Sequence, residues 1–312
     1  MLDPFALAVG TGLVASTPAG KALVYGLEWV PSEWRRWTEW LLVTAAVALA
    51  VLFDRLSRTS GEHDVLVFLI AALPGAVTFL VWRTAAASVL VSLLPLYYAV
   101  GALVADRTLH VPAVALDAAL PLQPSWMLVY GSHYAFVFLP LLVVRQEPLL
   151  RRTMWAYVMA FLVAYAGFFA YPTVTPHPAT VAGDGFATWC LRLQYRLDSP
   201  YNCFPSLHVA HSFLAALACY RVNRKVGLVA ASWAALIGVS TLYTKQHYLV
   251  DVIAGVVLAS IAYVLFLRGY PRHAIAERDQ RLAPFRATAM IAIFGIIAVF
   301  FWSLYRSGSI VV

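Results

Sequence analysis

The sequence predicts an all-α, polytopic transmembrane helix bundle, and three observations carry that reading. Hydrophobic residues make up 62% of the 312 positions and charged ones only 12%, where a soluble domain is nearer half and a quarter. Mean hydropathy is +0.77. Nine apolar segments recur along the chain, most of them close to the ~20 residues that a membrane-crossing helix needs. Strict alternation of apolar and polar residues, the mark of strands, is absent.

The elements follow in order. Residues 5–30 form a weak apolar stretch that Pro18, Lys21 and Glu28 interrupt, so an interfacial or re-entrant segment is as good a reading as a span. No cleavable signal peptide is predicted, because Asp3 comes early and no basic residue precedes the apolar ones. Trp29, Trp34, Trp37 and Trp40 read as an interfacial belt. Spans are expected near 39–56, 65–82, 85–104, 126–144 and 154–171. A long loop, 172–205, follows, and then spans near 206–220, 226–243, 248–267 and 287–306. The expected organisation is additional membrane helices in 1–84, a six-helix catalytic core in 85–267, and a basic connection with a last membrane helix in 268–312.

Basic residues set the topology. The turn 145–152 holds Arg145, Arg151 and Arg152. The turn 221–225 holds Arg221, Arg224 and Lys225. The connection 268–286 holds Arg268, Arg272, Arg278, Arg281 and Arg286. These are eleven of the 22 Lys and Arg, and counting spans puts all three connections on one side. The positive-inside rule makes that side cytoplasmic. The net charge of +7 therefore reads as topology and lipid-headgroup contact, not as a nucleic-acid surface.

Two motifs then open on the opposite, non-cytoplasmic face: Pro205-Ser206-Leu207-His208 and, 39 residues on, His247-Tyr248-Leu249-Val250-Asp251. His247 and Asp251 are four apart and share a helix face. A carboxylate there can hold the imidazole N–H and raise the basicity of the other nitrogen. Pro205 suits the start of a helix, whose free N–H groups attract anions, phosphate above all. Ser206 adds a hydroxyl and equally suits a helix cap. Ionisable residues at membrane depth are functional by default. A zinc site of His208, His211, His247 and Asp251 is the alternative, with His211 otherwise a packed core histidine. Lys245 is a phosphate ligand or a snorkelling lysine. Arg192 and Arg196, four apart in the long loop, face either phosphate or lipid headgroups. Tyr130 and His133 suit interhelical hydrogen bonds or an acceptor pocket. Cys190 and Cys203 share the non-cytoplasmic loop, where a disulfide between them is expected; two buried thiols are the other reading. No C-x-x-C spacing suggests structural zinc.

Pro-Ser-x-His opening one span and His-x-x-x-Asp opening the helix after next resembles the type-2 phosphatidic acid phosphatase superfamily. PSLH with TLYTKQHYLVDVIAG is more narrowly similar to its inositol phosphorylceramide synthase branch and bacterial relatives. Tyr171-Pro172-Thr173 and Tyr130 through His133 support the likeness, which covers about residues 126–267. The resemblance implies that His247 is the nucleophile forming phosphohistidine, Asp251 its orienting carboxylate and His208 the general acid. Ser206 would cradle the phosphate. It implies no metal and no other cofactor. The family's first motif, a Lys followed by Arg-Pro, is absent; Ser240 and Thr241 stand where the third motif has Ser-Arg, and Leu207 where Gly is usual. This thinned basic cradle favours a phosphodiester donor and head-group transfer to an alcohol. A lipid or polyprenyl phosphate phosphatase using water is the alternative. A non-enzymatic lipid-binding relative with a relic site is the third reading.

Overall fold

A computed structural model of the chain describes residues 103–308 except 179 and 199, together with 97, 100 and 101. The expected helices of 1–84 lie outside the described residues. From residue 100 onward the chain forms one compact unit, Val100–Val312. Among the described residues it is helical. Two isolated bridges, His110 to Thr173 and Thr173 to Asn202, tie loop segments together, and no strand forms.

The α-helices are α1 (Ala115–Ala119), α2 (Met127–Phe136), α3 (Leu139–Val143), α4 (Glu147–Ala170), α5 (Phe186–Leu197), α6 (Leu207–Val222), α7 (Arg224–Tyr243), α8 (Leu249–Ala262, prolonged by a π-turn Tyr263–Leu267) and α9 (Glu277–Ser307). By length and composition, α4, α7, α8 with its π-turn, and α9 are long and apolar enough to cross a membrane. Their outer faces carry exposed apolar side chains, among them Leu228, Val229, Ile253, Ile291 and Val299. In water such a surface would be a large unpartnered patch; in a bilayer it meets lipid. The chain is an integral membrane protein.

Three expected elements differ in extent. The single apolar run 126–144 is two helices, α2 and α3, broken at Val137–Phe138. Pro140 explains the break: it lacks an N–H and suits only the first turn of a new helix, where it sits in α3. The expected last span, 287–306, is the end of a 31-residue helix. At 1.5 Å per residue that is about 46 Å, longer than the ~30 Å hydrocarbon core. Its first turns, with Glu277, Asp279 and Arg281, therefore lie in the expected basic connection. The long loop 172–205 holds α5, which buries Trp189, Leu191 and Leu193 and leaves Arg196 exposed.

The helix α6 is the centre of the bundle. Twelve of its 16 residues are buried, and it packs on α4, α7 and α8. Two glycines allow close approaches at its N-terminal end. A Cβ on Gly255 of α8 would stand 2.6 Å from Ser206 O and 3.0 Å from Val209 Cβ. A Cβ on Gly167 of α4 would stand 2.8 Å from Pro205 Cδ and 3.0 Å from Phe204 O. The start of α6 is thus clamped between α4 and α8. At the opposite end the three basic connections meet. Arg272 donates to Tyr220 O at 2.8 Å, Arg221 donates to Tyr270 O, and Arg152 lies over the Tyr270 ring at 5.5 Å. Asn223 Nδ2 donates to Gln280 O at 2.9 Å and Gln146 Nε2 to Asp279 at 2.8 Å.

Candidate active site

Three helix termini build the site. Ser206 is the N-cap of α6, fully buried, and its Oγ accepts from Val209 N–H at 3.3 Å. Its own N–H donates to Asp251 O at 3.1 Å, which joins the start of α6 to the first turn of α8. Asp251 is the third residue of α8, and its Oδ2 accepts from Tyr248 N–H at 2.8 Å in a cap. The turn between α7 and α8 is held by Thr241 O, which accepts from Gln246 N–H at 2.9 Å and His247 N–H at 3.3 Å. Asp117 of α1 closes the turn from outside. One oxygen accepts from Val114 N–H at 2.8 Å and the other from Leu249 N–H at 2.9 Å.

These anchors bring His208, His247 and Asp251 into one line. His208 Nδ1 lies 3.1 Å from His247 Nε2, and His247 Nδ1 lies 3.5 Å from Asp251 Oδ2. All three side chains are buried. The line continues beyond His208: its Nε2 is 2.9 Å from Tyr130 Oη. Tyr130 Oη donates to Asp198 Oδ2 at 3.4 Å, and Gln194 Nε2 donates to both Tyr130 Oη (3.1 Å) and Asp198 Oδ2 (3.0 Å). Tyr130 belongs to α2, Gln194 to α5, and Asp198 follows α5. His133, one turn below Tyr130, stands with its ring centroid 4.8 Å from that of His208 and its Nδ1 2.9 Å from Ser212 Oγ.

Chemically, the line sets two imidazoles face to face, one of them backed by a carboxylate. A proton on His247 Nδ1, facing the carboxylate, leaves the Nε2 lone pair pointing at His208. The 3.5 Å separation is longer than a well-formed hydrogen bond, and both His247 Nδ1 and Asp251 Oδ1 lack a hydrogen-bond partner. Such pairs tighten when charge develops on the imidazole.

Other candidate residues are engaged elsewhere. Lys245, in the left-handed region at φ 53°, sends its Nζ to Asp117 O at 2.9 Å and Leu120 O at 2.6 Å. It caps the end of α1 instead of turning to the histidines. Arg192 donates to Val181 O at 2.7 Å and Gly183 O at 2.8 Å, fastening its own loop. Arg196 lies on the exposed side of α5. His211 is turned to α4, with its ring 4.3 Å from Phe161 and 5.0 Å from Tyr157. Among the described residues no three His, Cys, Asp or Glu converge as metal ligands.

The expected disulfide is not formed: Cys190, Cys203 and Cys219 are all free. Cys203 Sγ donates to Pro200 O at 3.2 Å and sits 3.4 Å from Thr175 Oγ1, whereas Cys190 packs beside the Met127, Tyr130 and Leu191 cluster. The two thiols serve different local contacts, and burial pushes each up to about 12.

Gln194 and Asp198 were not singled out from sequence. Their signal was the Gln-x-x-x-Asp spacing at the end of an amphipathic stretch, which places both on one helix face.

No solved structure matches the chain. A PA-phosphatase related-family protein of Dictyostelium discoideum is 27% identical over 110 residues, 32% of this chain, and the chain spans about a fifth of that relative's length. A model of the PAP2 superfamily matches residues 102–265, more than half of the chain, and covers Tyr130, Asp198, His208, His247 and Asp251; the chain belongs to the PAP2 superfamily.

Proposed function

We propose that the protein is a lipid phosphotransferase that moves a phosphate-containing head group from a membrane lipid to an alcohol through phospho-His247. The Asp251–His247–His208 line carries the reading, because it joins an oriented nucleophile to an acid within 3.1 Å. In the first step His247 Nε2 attacks phosphorus and the P–O bond to the departing lipid alcohol breaks. His208, as imidazolium, gives its Nδ1 proton to that oxygen. In the second step the acceptor O–H gives its proton to His208 Nδ1 and its oxygen attacks phosphorus. The P–N bond breaks and His247 returns neutral. Splitting one displacement into two is the benefit of the covalent route.

Two observations support a lipid donor and a diester. An apolar groove of about 480 Å³ lies beside the site, lined by Val163 and Gly167 of α4, Pro205, and Val250, Ala254 and Val257 of α8. Pro205 and Val250 are sequence neighbours of Ser206 and Asp251, which supports a lipid chain that reaches the site from that groove. Lys245 and Arg192 are both bound to backbone carbonyls. That leaves little positive charge at the site, and a monoester dianion needs more of it than a diester monoanion does. The non-cytoplasmic placement rests on the basic connections gathered at the far end.

A second reading, lipid phosphate phosphatase, keeps every step with water as acceptor. It is favoured by the Dictyostelium relative, which is a PA-phosphatase related-family protein. Purified protein is incubated with phosphatidate, or with a phosphodiester lipid with and without inositol or diacylglycerol. Product that needs the alcohol supports transfer; release independent of any alcohol overturns it in favour of the phosphatase. Unchanged turnover in His247→Ala overturns both.

A further inference from the structure

We infer that Tyr130 and Asp198 form a positioning relay that does for His208 what Asp251 does for His247. The inference rests on the reading of His208 as general acid and extends it to the residues behind that acid.

Donors and acceptors along the line can be matched one by one. His208 presents Nδ1 to His247 and Nε2 to Tyr130 Oη, so the acid proton is the one on Nδ1. When that proton leaves, the remaining proton must stay on Nε2; otherwise Nδ1 is not free to act as base for the acceptor. Tyr130 Oη can hold it there only by accepting, and to accept it must direct its own O–H elsewhere. Asp198 Oδ2, 3.4 Å away, is the acceptor for that O–H. Gln194 Nε2 fills the second lone pair of the phenol oxygen at 3.1 Å and grips Asp198 at 3.0 Å. With His208 charged, every proton has a destination: Nδ1–H to His247, Nε2–H to Tyr130, and O–H to Asp198. The phenol then accepts two bonds and donates one, its full capacity.

Burial makes this matter. Tyr130 is fully buried and Gln194 nearly so, and in such surroundings an imidazolium needs a counter-charge within reach. Among the described residues, the groups around His208 include Tyr130, His133 and Tyr134 from α2; Gln194 and Asp198 from α5 and its end; His247 with Asp251 behind it; and His211 on α6 itself. The two carboxylates lie at opposite ends of the line. Asp251 serves His247 directly, and Asp198 serves His208 through the phenol. The relay also couples the acid to α5, the helix within the loop over the site.

The test does not depend on the substrate. Full-length protein labelled with [15N]histidine is titrated in detergent, with His208 assigned from the signals lost in His208→Gln. His247→Ala protein, in which Nδ1 no longer faces the His247 lone pair, is expected to show neutral His208 as the Nε2–H tautomer. Tyr130→Phe and Asp198→Asn are each expected to lower the titration midpoint of His208 by about one pH unit, because a charge-assisted bond to Nε2–H is lost or weakened. Added to His247→Ala, Tyr130→Phe is also expected to mix the tautomers. Tyr130→Phe is nearly isosteric, and Asp198 is only half-buried, so at least one variant should fold like the wild type. An unchanged midpoint in either folded variant, or an unchanged tautomer when Tyr130→Phe is added to His247→Ala, overturns the relay. The mechanism itself is judged separately: if His208→Gln and His247→Ala abolish turnover while Tyr130→Phe titrates like wild type, the relay alone falls. If both histidine variants turn over normally, the general-acid reading falls and takes the relay with it.

Discussion

Gly255→Ala should damage the site without touching a residue that reacts. The added methyl would stand 2.6 Å from Ser206 O, 3.0 Å from Val209 Cβ and 3.3 Å from Ala210 N. Two of these are backbone atoms and cannot turn aside as a flexible side chain can. Reaching the 3.4 Å of an ordinary contact means moving α8 from α6 by about 0.8 Å. The Ser206 N–H to Asp251 O bond, 3.1 Å at present, spans this same gap and would stretch with it. His247 and Asp251 ride with α8, and His208 with α6. A misplacement of ~1 Å between reacting groups costs roughly 100-fold in rate, and overpacking costs about 1–3 kcal/mol of stability. The assay is kcat/KM on a turned-over lipid donor beside the thermal midpoint in detergent. Gly238→Ala on α7 is the control. Its Cβ would meet Val252 Cγ1 at 3.5 Å and Val209 Cγ2 at 3.7 Å, ordinary contacts. Helix propensity alone should then make it neutral or slightly stabilising. Wild-type kcat/KM in Gly255→Ala, with the protein folded, would refute the claim that backbone proximity here sets the histidine geometry.

Asp251→Asn should lower kcat by about 10²–10⁴-fold, since the amide no longer favours the Nδ1–H tautomer of His247; a loss under threefold contradicts the orienting role. Activity should follow a bell in pH. The proposed route needs one imidazole neutral to attack and the other protonated to donate, so the rate falls at both ends. A flat kcat/KM from about pH 5 to 8 would remove the pairing. Lys245→Met should lower stability by about 1–3 kcal/mol, because Asp117 O and Leu120 O lose their donor, while KM stays within a few-fold; a large rise in KM with intact stability would make Lys245 a phosphate ligand after all. Cys190 and Cys203, held at about 12 by burial, stay protonated through neutral pH. Native protein at pH 8 should therefore resist iodoacetamide, with both thiols alkylated only after denaturation. Rapid native labelling seen by mass spectrometry would contradict the burial argument.

What the sequence made legible is what depends on local pattern. Spans α4, α7 and α8 follow from apolar length alone, and the break before Pro140 was readable from the imino acid, although the apolar run around it hid the break. The spacing of His247 and Asp251 announced a shared helix face before any packing was known. What stayed hidden depends on the partner. Gly255 and Gly167 look like any glycine in an apolar helix until Ser206 O and Pro205 lie against them. Lys245 looks like a phosphate ligand until α1 offers two carbonyls, and α1, five residues long, has too little periodicity to be seen. The helix α5 was masked by the prolines and glycines around it, and with it went Gln194 and Asp198. Cys190 and Cys203 share a loop, but sequence proximity carries no information on which contacts each thiol makes.

The arrangement also answers a physical difficulty. Two histidines and a carboxylate buried in an apolar bundle should be costly, and a buried charge without a partner costs more than any single bond returns. The fold meets this by putting each group where a helix begins. Asp251 caps α8 and takes Tyr248 N–H; Ser206 caps α6 and leaves His208 in the first turn. Backbone N–H groups in a first turn have no helical partner, so they offer a positive field to carboxylate and phosphate alike. On the proposed reading, a bundle with Ser240 and Thr241 where the resemblance expects Ser-Arg holds its anion with dipoles and shared protons instead of guanidinium groups. That substitution predicts a preference that depends on charge. A monoester dianion demands the missing cations, and a diester monoanion does not. Restoring charge by Thr241→Arg, at the position where the superfamily carries arginine, should raise kcat/KM for phosphatidate relative to a phosphodiester lipid. An unchanged ratio in a folded variant would show that the thinned cradle does not select the donor.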